Sequence, residues 1–471
     1  MFIRSWRKAL AALVFVLLAL GAQSVAGSQG PTPLPEALQP VTRPLAAVAN
    51  PAAALAKWKA SLAPGVTAST VFPPDDRVRV ADTTAAGWRT VTLVVSFDAA
   101  SNPLAACSGM MIGDNVVLTA AHCVFNGGQY VASVVVAPGA TPTSNPFGVV
   151  AATRYSVPTG WANTVGQSAL GSLVPTSPYD WALIFLDGNP FHGRIGPYLT
   201  IANAPDSYFQ RPGLEIATAG YPGDKPFASM WSATTTDFTV DATYLTTTLD
   251  VAPGQSGSAI YTLDPATGSG FVFSVVSVGD STANYSVRFT QPVIAALNSY
   301  CAANGCSFTS TSISESYAFN GYAFCRTSPT CANGSEGLIQ GQPIRVGFHL
   351  TPNPDQQVRA VGYFNGTQFN SWVWAAPTPP GGGTFYVGDP GLGTPSGPGT
   401  LELRIWVGGV YVGAISAQVA AAPPTVTPTA TTTPVTATAT PTPVAAPSPA
   451  ASPAGSSRRP FRAVVPEIGV Q

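Results

Sequence analysis

Charge is what this sequence has least of. Lys+Arg 21 against Asp+Glu 22 in 471 residues makes 9% charged, with a net charge of −1, where soluble domains commonly carry about 25%. No basic excess is available to neutralise phosphates, so nucleic acid is not expected as a partner. The six cysteines include no CxxC spacing, which removes the usual sequence signal for a zinc or dithiol-redox centre. There are only three histidines, His122, His192 and His349. Long apolar runs are also missing after the first 22 residues, and a spanning helix needs about 18 or more. The mean hydropathy of +0.22 therefore does not describe a membrane bundle; Ala, Val and Gly carry much of it. What is abundant is Gly 46 and Pro 46, about one residue in five, a composition of turns and short strands. The length suggests about three units and permits a large core.

The one membrane-like stretch is at the start. Arg4, Arg7 and Lys8 precede an apolar run from Ala9 to Ala22, and Ser24-Val25-Ala26 offers small residues for cleavage. Residues 1–26 read as a secretory signal peptide, an uncleaved anchor being the alternative. A secreted, extracellular protein follows. In an oxidising compartment an even number of cysteines favours disulfides. Cys107 and Cys123 are one candidate pair; Cys301, Cys306, Cys325 and Cys331 allow three connectivities, among which the sequence does not choose.

Residues 27–70 are rich in Pro and Ala, with one helical stretch near Ala52–Leu62 and nothing resembling a core strand, and are expected to be a removable pro-segment. From Val71 the texture changes to short β-like runs: Val91–Phe97, Val116–Ala120, Val131–Val136, Trp181–Leu186 and Phe271–Val278. Many such strands at close spacing indicate a sandwich or barrel. Pro292–Tyr300 reads as a helix behind Thr290 as N-cap. A second β-rich region, 306–420, suits a small β-sandwich. Its Asn365-Gly366 and Gly408-Gly409 pairs predict two-residue primed turns. Residues 421–471 are Thr/Pro/Ala-rich and expected to be a disordered tail.

Three short motifs carry chemistry. Thr119-Ala120-Ala121-His122-Cys123 ends a β-like run, and a Cys107–Cys123 bridge would staple the strand bearing His122. Tyr179-Asp180-Trp181 sets a carboxylate at the start of an apolar strand. Pro253-Gly254-Gln255-Ser256-Gly257-Ser258 puts a serine on a glycine-rich turn. A serine hydroxyl is a weak nucleophile until an imidazole takes its proton, and a buried carboxylate fixes that imidazole's tautomer. Gly254 permits the tight turn that aims its own N–H and that of Ser256 at a developing oxyanion. His192 falls in a turn-rich loop and reads as exposed; His349 reads as structural.

TAAHC, DWALI and GQSGSAIY in the order His, Asp, Ser resemble a chymotrypsin-family (trypsin-like) serine endopeptidase. Val71-Phe72-Pro73-Pro74-Asp75-Asp76-Arg77 is similar to the mature N-terminus of the bacterial glutamyl endopeptidase branch. Gly220-Tyr221-Pro222-Gly223-Asp224-Lys225 with Trp231, and Asn284 through Arg288-Phe289-Thr290, resemble two further stretches of that branch. The resemblance covers about 71–300. It implies an all-β, double β-barrel protease domain over 71–305 and a zymogen. It also implies hydrolysis of protein or peptide substrates through an acyl-enzyme, with no cofactor or metal.

The departures from that branch fall in the specificity pocket. Glutamyl endopeptidases are expected to grip the substrate carboxylate with a histidine, a hydroxyl and the mature α-amino group, here that of Val71. The first two positions are Val276 and Val251, and a glutamate buried against two valines lacks hydrogen-bond partners. Val276-Ser277-Val278-Gly279 instead resembles the trypsin strand in which the serine supports the catalytic aspartate and the backbone pairs with substrate. Asp250 matches the charge-selecting aspartate of trypsin, so acidic, apolar and basic preferences all stay open. Gln255 stands where trypsin-like zymogens carry the aspartate that captures a new N-terminus. In the second region Tyr363, Phe369, Trp372 and Trp374 form either an aromatic platform for a cell-surface or polysaccharide ligand, or a sandwich core. A monomer is expected. The alternative to an enzyme is an extracellular adhesion or wall-binding protein with a vestigial protease domain.

Overall fold

The computed structural model describes residues 33–60, 70–164, 177–263, 270–314, 317–326, 331, 335–351, 356–374, 384–387 and 392–423. The expected signal peptide and nearly all of the expected tail lie outside the described residues. No helix among the described residues is long and apolar enough to cross a membrane.

The strand Val91–Phe97 is buried along its whole length, and its alternation explains why. Val91, Leu93, Val95 and Phe97 face one apolar cluster and Val94 faces another, as the two-residue period of a strand requires. Met110 and Ile112, Val116 and Leu118, Leu183 and Phe185 repeat the division, with Met111, Val117 and Ile184 on the second face. These strands form a ring in the order Val150–Pro158, Ala182–Leu186, Val116–Thr119, Pro103–Gly113, Val91–Phe97, Ser133–Pro138. Ser133–Pro138 pairs back onto Val150–Pro158 and closes the first barrel.

The second sheet runs Phe238–Val240, Tyr244–Thr247, Asn284–Arg288, Gly270–Gly279, Ala259–Leu263, Ile216–Gly220, Trp231–Thr235, Val78–Arg79. Thr200–Asn203 joins it in parallel along Gly270–Gly279 and also pairs with Ser310–Ser312. One face of this half-barrel, through Tyr221, Val272 and Val275, shares a cluster with the first barrel. The predicted helix is Gln291–Ala303; Thr290 occupies its N-cap, without a side-chain hydrogen bond.

The second β-rich region is a sandwich. A three-stranded sheet (Ala318–Cys325, Arg345–Thr351, Thr384–Val387) faces a five-stranded one (Leu338–Ile339, Val410–Ala420, Gly399–Val407, Val358–Phe364, Thr367–Trp374) across a core that includes Phe348, Leu350, Leu403 and Ile405. Both predicted turns are present. Gly408 and Gly409 have φ of 56° and 84° between paired Val407 and Val410, and Asn365 and Gly366 have 49° and 78° between Phe364 and Thr367. The sandwich is packed onto the half-barrel: Val361, Trp406 and Tyr411 enter the cluster of Leu214, Ile216 and Tyr208.

Residues 27–70 hold nothing that resembles a core strand in the sequence, and the strand found there is of another kind: Pro40–Pro44 pairs antiparallel along Arg154–Pro158 as a seventh strand at the edge of the first sheet. The apolar alternation of a core strand is absent because this is an exposed edge strand. Its two end prolines suit an edge, where a missing N–H costs no ladder bond. The predicted helix follows as Pro51–Ala60, with Leu55 and Trp58 buried.

Candidate active site

The residues 253–258 turn exists because two glycines accept backbone angles that other residues avoid. Gly254 has φ +98° and Gly257 +83°. A Cβ on Gly254 would come within 2.5 Å of Tyr221 O, and one on Gly257 within 2.2 Å of Thr119 Oγ1. Neither Gly254 N–H nor Ser256 N–H donates to a backbone carbonyl among the described residues.

Strand Pro103–Gly113 clasps this turn from the first barrel. Ser108 N donates to Ser256 O at 2.8 Å, Ser108 Oγ to Gly254 O at 2.8 Å, and Tyr221 N to Ser108 Oγ at 2.8 Å. The Cys107–Cys123 disulfide lies alongside, with Cys123 Sγ 3.8 Å from Ser256 O. Because Cys123 follows His122, the same bridge fixes the chain next to His122 against the serine turn. The structure pairs the other cysteines as Cys301–Cys306 and Cys325–Cys331.

Asp180 is sealed from solvent, with 1% exposure. Its Oδ1 accepts the His122 backbone N–H at 2.9 Å and its Oδ2 meets His122 Nδ1 at 2.8 Å. Ser277 Oγ donates to the same Oδ2 at 2.5 Å. Burial alone would raise the Asp180 carboxyl, but the attraction of His122 and the hydrogen bonds from His122 and Ser277 hold it below the ordinary carboxylate range. Trp161 stands 6.5 Å from the imidazole, centroid to centroid.

The expected pocket residues occupy a neighbouring region of the half-barrel. Val251 and Val276 are both buried in the cluster of Leu249, Ile260 and Phe273. Gly279 ends the strand that carries Ser277. Asp250 is fully engaged: Oδ1 accepts Phe72 N at 2.6 Å and Oδ2 accepts Asp76 N at 2.9 Å. Val71 lies beside Thr70, whose carbonyl accepts from Asn284 Nδ2 at 2.8 Å and whose N–H donates to Asn284 Oδ1 at 3.1 Å.

Two residues at this site were legible only as parts of motifs. Asn284 holds Thr70 by both its backbone N–H and its carbonyl. Arg77, with no exposed side-chain surface, is bound by Asp75 and Asp224 and reaches Gln255 Oε1 at 3.4 Å. His192 is exposed and held by Asp114 at 2.6 Å. Of the aromatics in the sandwich, Trp372 and Trp374 pack against its core, Tyr363 lies under Arg404 at 4.3 Å, and Phe369 is exposed.

Comparison with known proteins shows what the chain is similar to. Residues 107–267 match the family described as a trypsin-like peptidase domain. The chain is 31% identical over 195 residues to a glutamyl endopeptidase of Bacillus licheniformis, covering 41% of this chain and 54% of that protein. It is 29% identical over 229 residues to a Bacillus subtilis protein named extracellular metalloprotease, covering 48% of this chain and 67% of that one. A solved structure of a Glu endopeptidase in complex with MPD is 27% identical, with a TM-score of 0.41, covering 50% of this chain and 100% of that chain. The chain thus spans about half the length of the first of these relatives.

The second relative's name raises the question of a metal. The one grouping of three metal-type side chains among the described residues is Cys107, His122 and Cys123. Both of its sulfurs are joined to each other and its imidazole faces Asp180, so this set does not suit an ion. Residues 107–267 thus carry a match to a trypsin-like peptidase domain, and the chain is similar there to glutamyl endopeptidases.

Proposed function

We propose that the protein is a secreted serine endopeptidase in which Ser256 is the nucleophile, His122 the general base and Asp180 the residue that orients it. The observation that carries this reading is Asp180 accepting from His122 twice, at 2.9 Å from the backbone and 2.8 Å from the ring. With Nδ1–H directed at Asp180, the lone pair of Nε2 is free for the serine proton. Ser256 Oγ attacks the scissile carbonyl carbon as its proton passes to His122 Nε2. The oxyanion takes hydrogen bonds from the N–H groups of Gly254 and Ser256, which have no backbone acceptor among the described residues. Collapse of the intermediate breaks the C–N bond, and the amine leaves with the proton from His122. Water, deprotonated by the same imidazole, then releases the acyl group. Asp180 keeps its negative charge throughout and stabilises the imidazolium.

The pocket is read as apolar. Asp250 is consumed by two backbone N–H groups, which argues against a basic side chain, and Val251 and Val276 offer no hydrogen bond to an acidic one. Secretion rests on residues 1–26. Maturation at Val71 matters on this reading because an unbroken chain keeps the amine of Val71 from forming beside the pocket.

Labelling of the matured protein by a serine-directed phosphonate, abolished in Ser256→Ala, tests the chemistry. Cleavage of a diverse peptide library by the form beginning at Val71 tests the pocket. No labelling would sink the enzyme reading; labelling with a dominant preference for glutamate would sink the apolar pocket alone.

A further inference from the structure

Residues 33–60 are bound to the protease body in the way a partner chain is bound. Strand Pro40–Pro44 adds to Arg154–Pro158 in continuous register, from Pro40 opposite Pro158 to Pro44 opposite Arg154, which is the geometry of strand addition to a sheet edge. Bonds beyond the ladder extend the pairing at both ends. Leu45 N donates to Thr153 O at 2.9 Å and Ala46 N to Ala132 O at 2.8 Å. Tyr300 OH donates to Leu38 O at 2.9 Å from the helix Gln291–Ala303. The helix Pro51–Ala60 supplies apolar anchors: Leu55 is 1% exposed and Trp58 8%, and the Trp58 ring stacks on Phe227 at 5.0 Å. Leu38, Leu55 and Trp58 all belong to the apolar cluster shared by the two barrels.

We propose that residues 33–60, once cut from the chain ahead of Val71, stay bound as a second chain, so that the matured protein is a two-chain complex. This rests on the maturation reading above, since a cut is needed to make two chains. A segment that only shielded a site would lie across its surface; this one adds a strand to a sheet and side chains to a core, and leaving would expose Leu38, Leu55 and Trp58 together with the surfaces they cover. The segment also bears on the site. Thr159 N and Thr159 Oγ1 both donate to Gln39 O, each at 2.8 Å. Thr159 begins the helical turn Thr159–Ala162 that holds Trp161 beside His122. The retained chain is thus a support for the wall of the site.

The test is made on the full-length chain carrying Ser256→Ala, so that the protein cannot digest its own fragment, with a recognition sequence for an unrelated protease placed within 61–69. After cutting, native size exclusion followed by mass measurement is expected to show the 33–60 fragment in the main peak at equal stoichiometry, released only on denaturation. A fragment that separates under native conditions overturns the proposal. Leu55→Ala with Trp58→Ala, cut after folding, is expected to release the fragment at least about tenfold faster, given the cost of truncating buried side chains; an unchanged rate overturns the anchoring assigned to the helix. In the unmodified protein, a new N-terminus at Val71 with the fragment co-eluting is the expected result, and that terminus without the fragment overturns the two-chain form. An uncut chain overturns the maturation reading, while the engineered cut still reports on docking by itself.

Discussion

The buried guanidinium of Arg77 donates to Gln255 Oε1 across 3.4 Å, and the same oxygen accepts Ala252 N at 3.0 Å. Gln255 lies directly before Ser256 on the turn that carries the unengaged N–H groups. The turn is therefore tied to a cation already in the chain, Arg77, itself held by Asp75 and Asp224. No new N-terminal ammonium is needed to shape it. The unmatured chain is expected to react with a serine-directed phosphonate within about tenfold of the matured rate, since an unformed oxyanion site would slow it by about a hundredfold or more. Rates of labelling, measured on the two forms side by side, check this.

Arg77→Met is expected to lower both stability and labelling rate. A sealed ion pair broken on one side costs about 3–5 kcal/mol, but Asp75 and Asp224 are a third or more open to water. Resolvation cuts the expected loss to about 1–3 kcal/mol. Thermal unfolding in the Ser256→Ala background reads it, and an unchanged melting temperature would remove Arg77 from the account.

Ser277→Ala removes one of the three donors on Asp180. A hydrogen bond to a charged group contributes about 1.5–3 kcal/mol, so kcat/KM is expected to fall about ten- to a hundredfold with little change in KM. Steady-state kinetics on a single peptide suffices, and a change confined to KM would contradict the role.

Acid stability turns on the carboxylates around Arg77. Hydrogen bonding from Arg77, opposed by burial and aided by Lys225, lowers the pKa of Asp75 far below its ordinary value of 3.8. A carboxyl depressed in the folded state favours folding above its unfolded pKa, and that contribution is lost as pH falls through the folded one. Asp75→Asn is therefore expected to lower the melting temperature at neutral pH and to make no difference at the acid extreme. Melting curves across pH, again with Ser256→Ala, would falsify this if the two proteins ran parallel throughout.

Much of the site was legible because its residues sit in motifs whose spacing reflects backbone demands. His122 lies in the turn just after the strand Val116–Thr119, Asp180 just before Ala182–Leu186, and Ser256 stands between two glycines that only a tight turn requires. The strands of the first barrel were legible from runs such as Val91–Phe97, apolar on both faces, and both primed turns from their Asn-Gly and Gly-Gly pairs. What was not legible depends on distant contacts. Pro40–Pro44 shows no alternation because nearly all of its side chains, on both faces, are exposed. The backbone N–H groups of Phe72 and Asp76 that meet the Asp250 carboxylate come from a segment remote in sequence and leave no motif. Trp372 and Trp374 left platform and core both open, and their partial burial against the sandwich core depends on residues remote in sequence.

The joint between half-barrel and sandwich gives the last prediction. Tyr411 OH donates to Pro212 O at 2.6 Å, Arg211 donates to Tyr411 O, and Arg404 faces Glu215 at 3.6 Å. Trp406 and Tyr411 are buried there with Leu214 and Ile216. The apolar cluster they enter also holds Val251 and Val276, so the floor of the proposed pocket and the joint are parts of one packed core. Tyr411→Ala, which opens a cavity and strands Pro212 O, is expected to destabilise the protein by about 3–5 kcal/mol. Ending the chain after Ile313 is expected to expose Tyr208, Leu214 and Ile216 and to cause aggregation. A sandwich tethered only by a flexible connection would leave protease stability untouched in both variants, which thermal unfolding and light scattering of the truncated and substituted proteins measure directly.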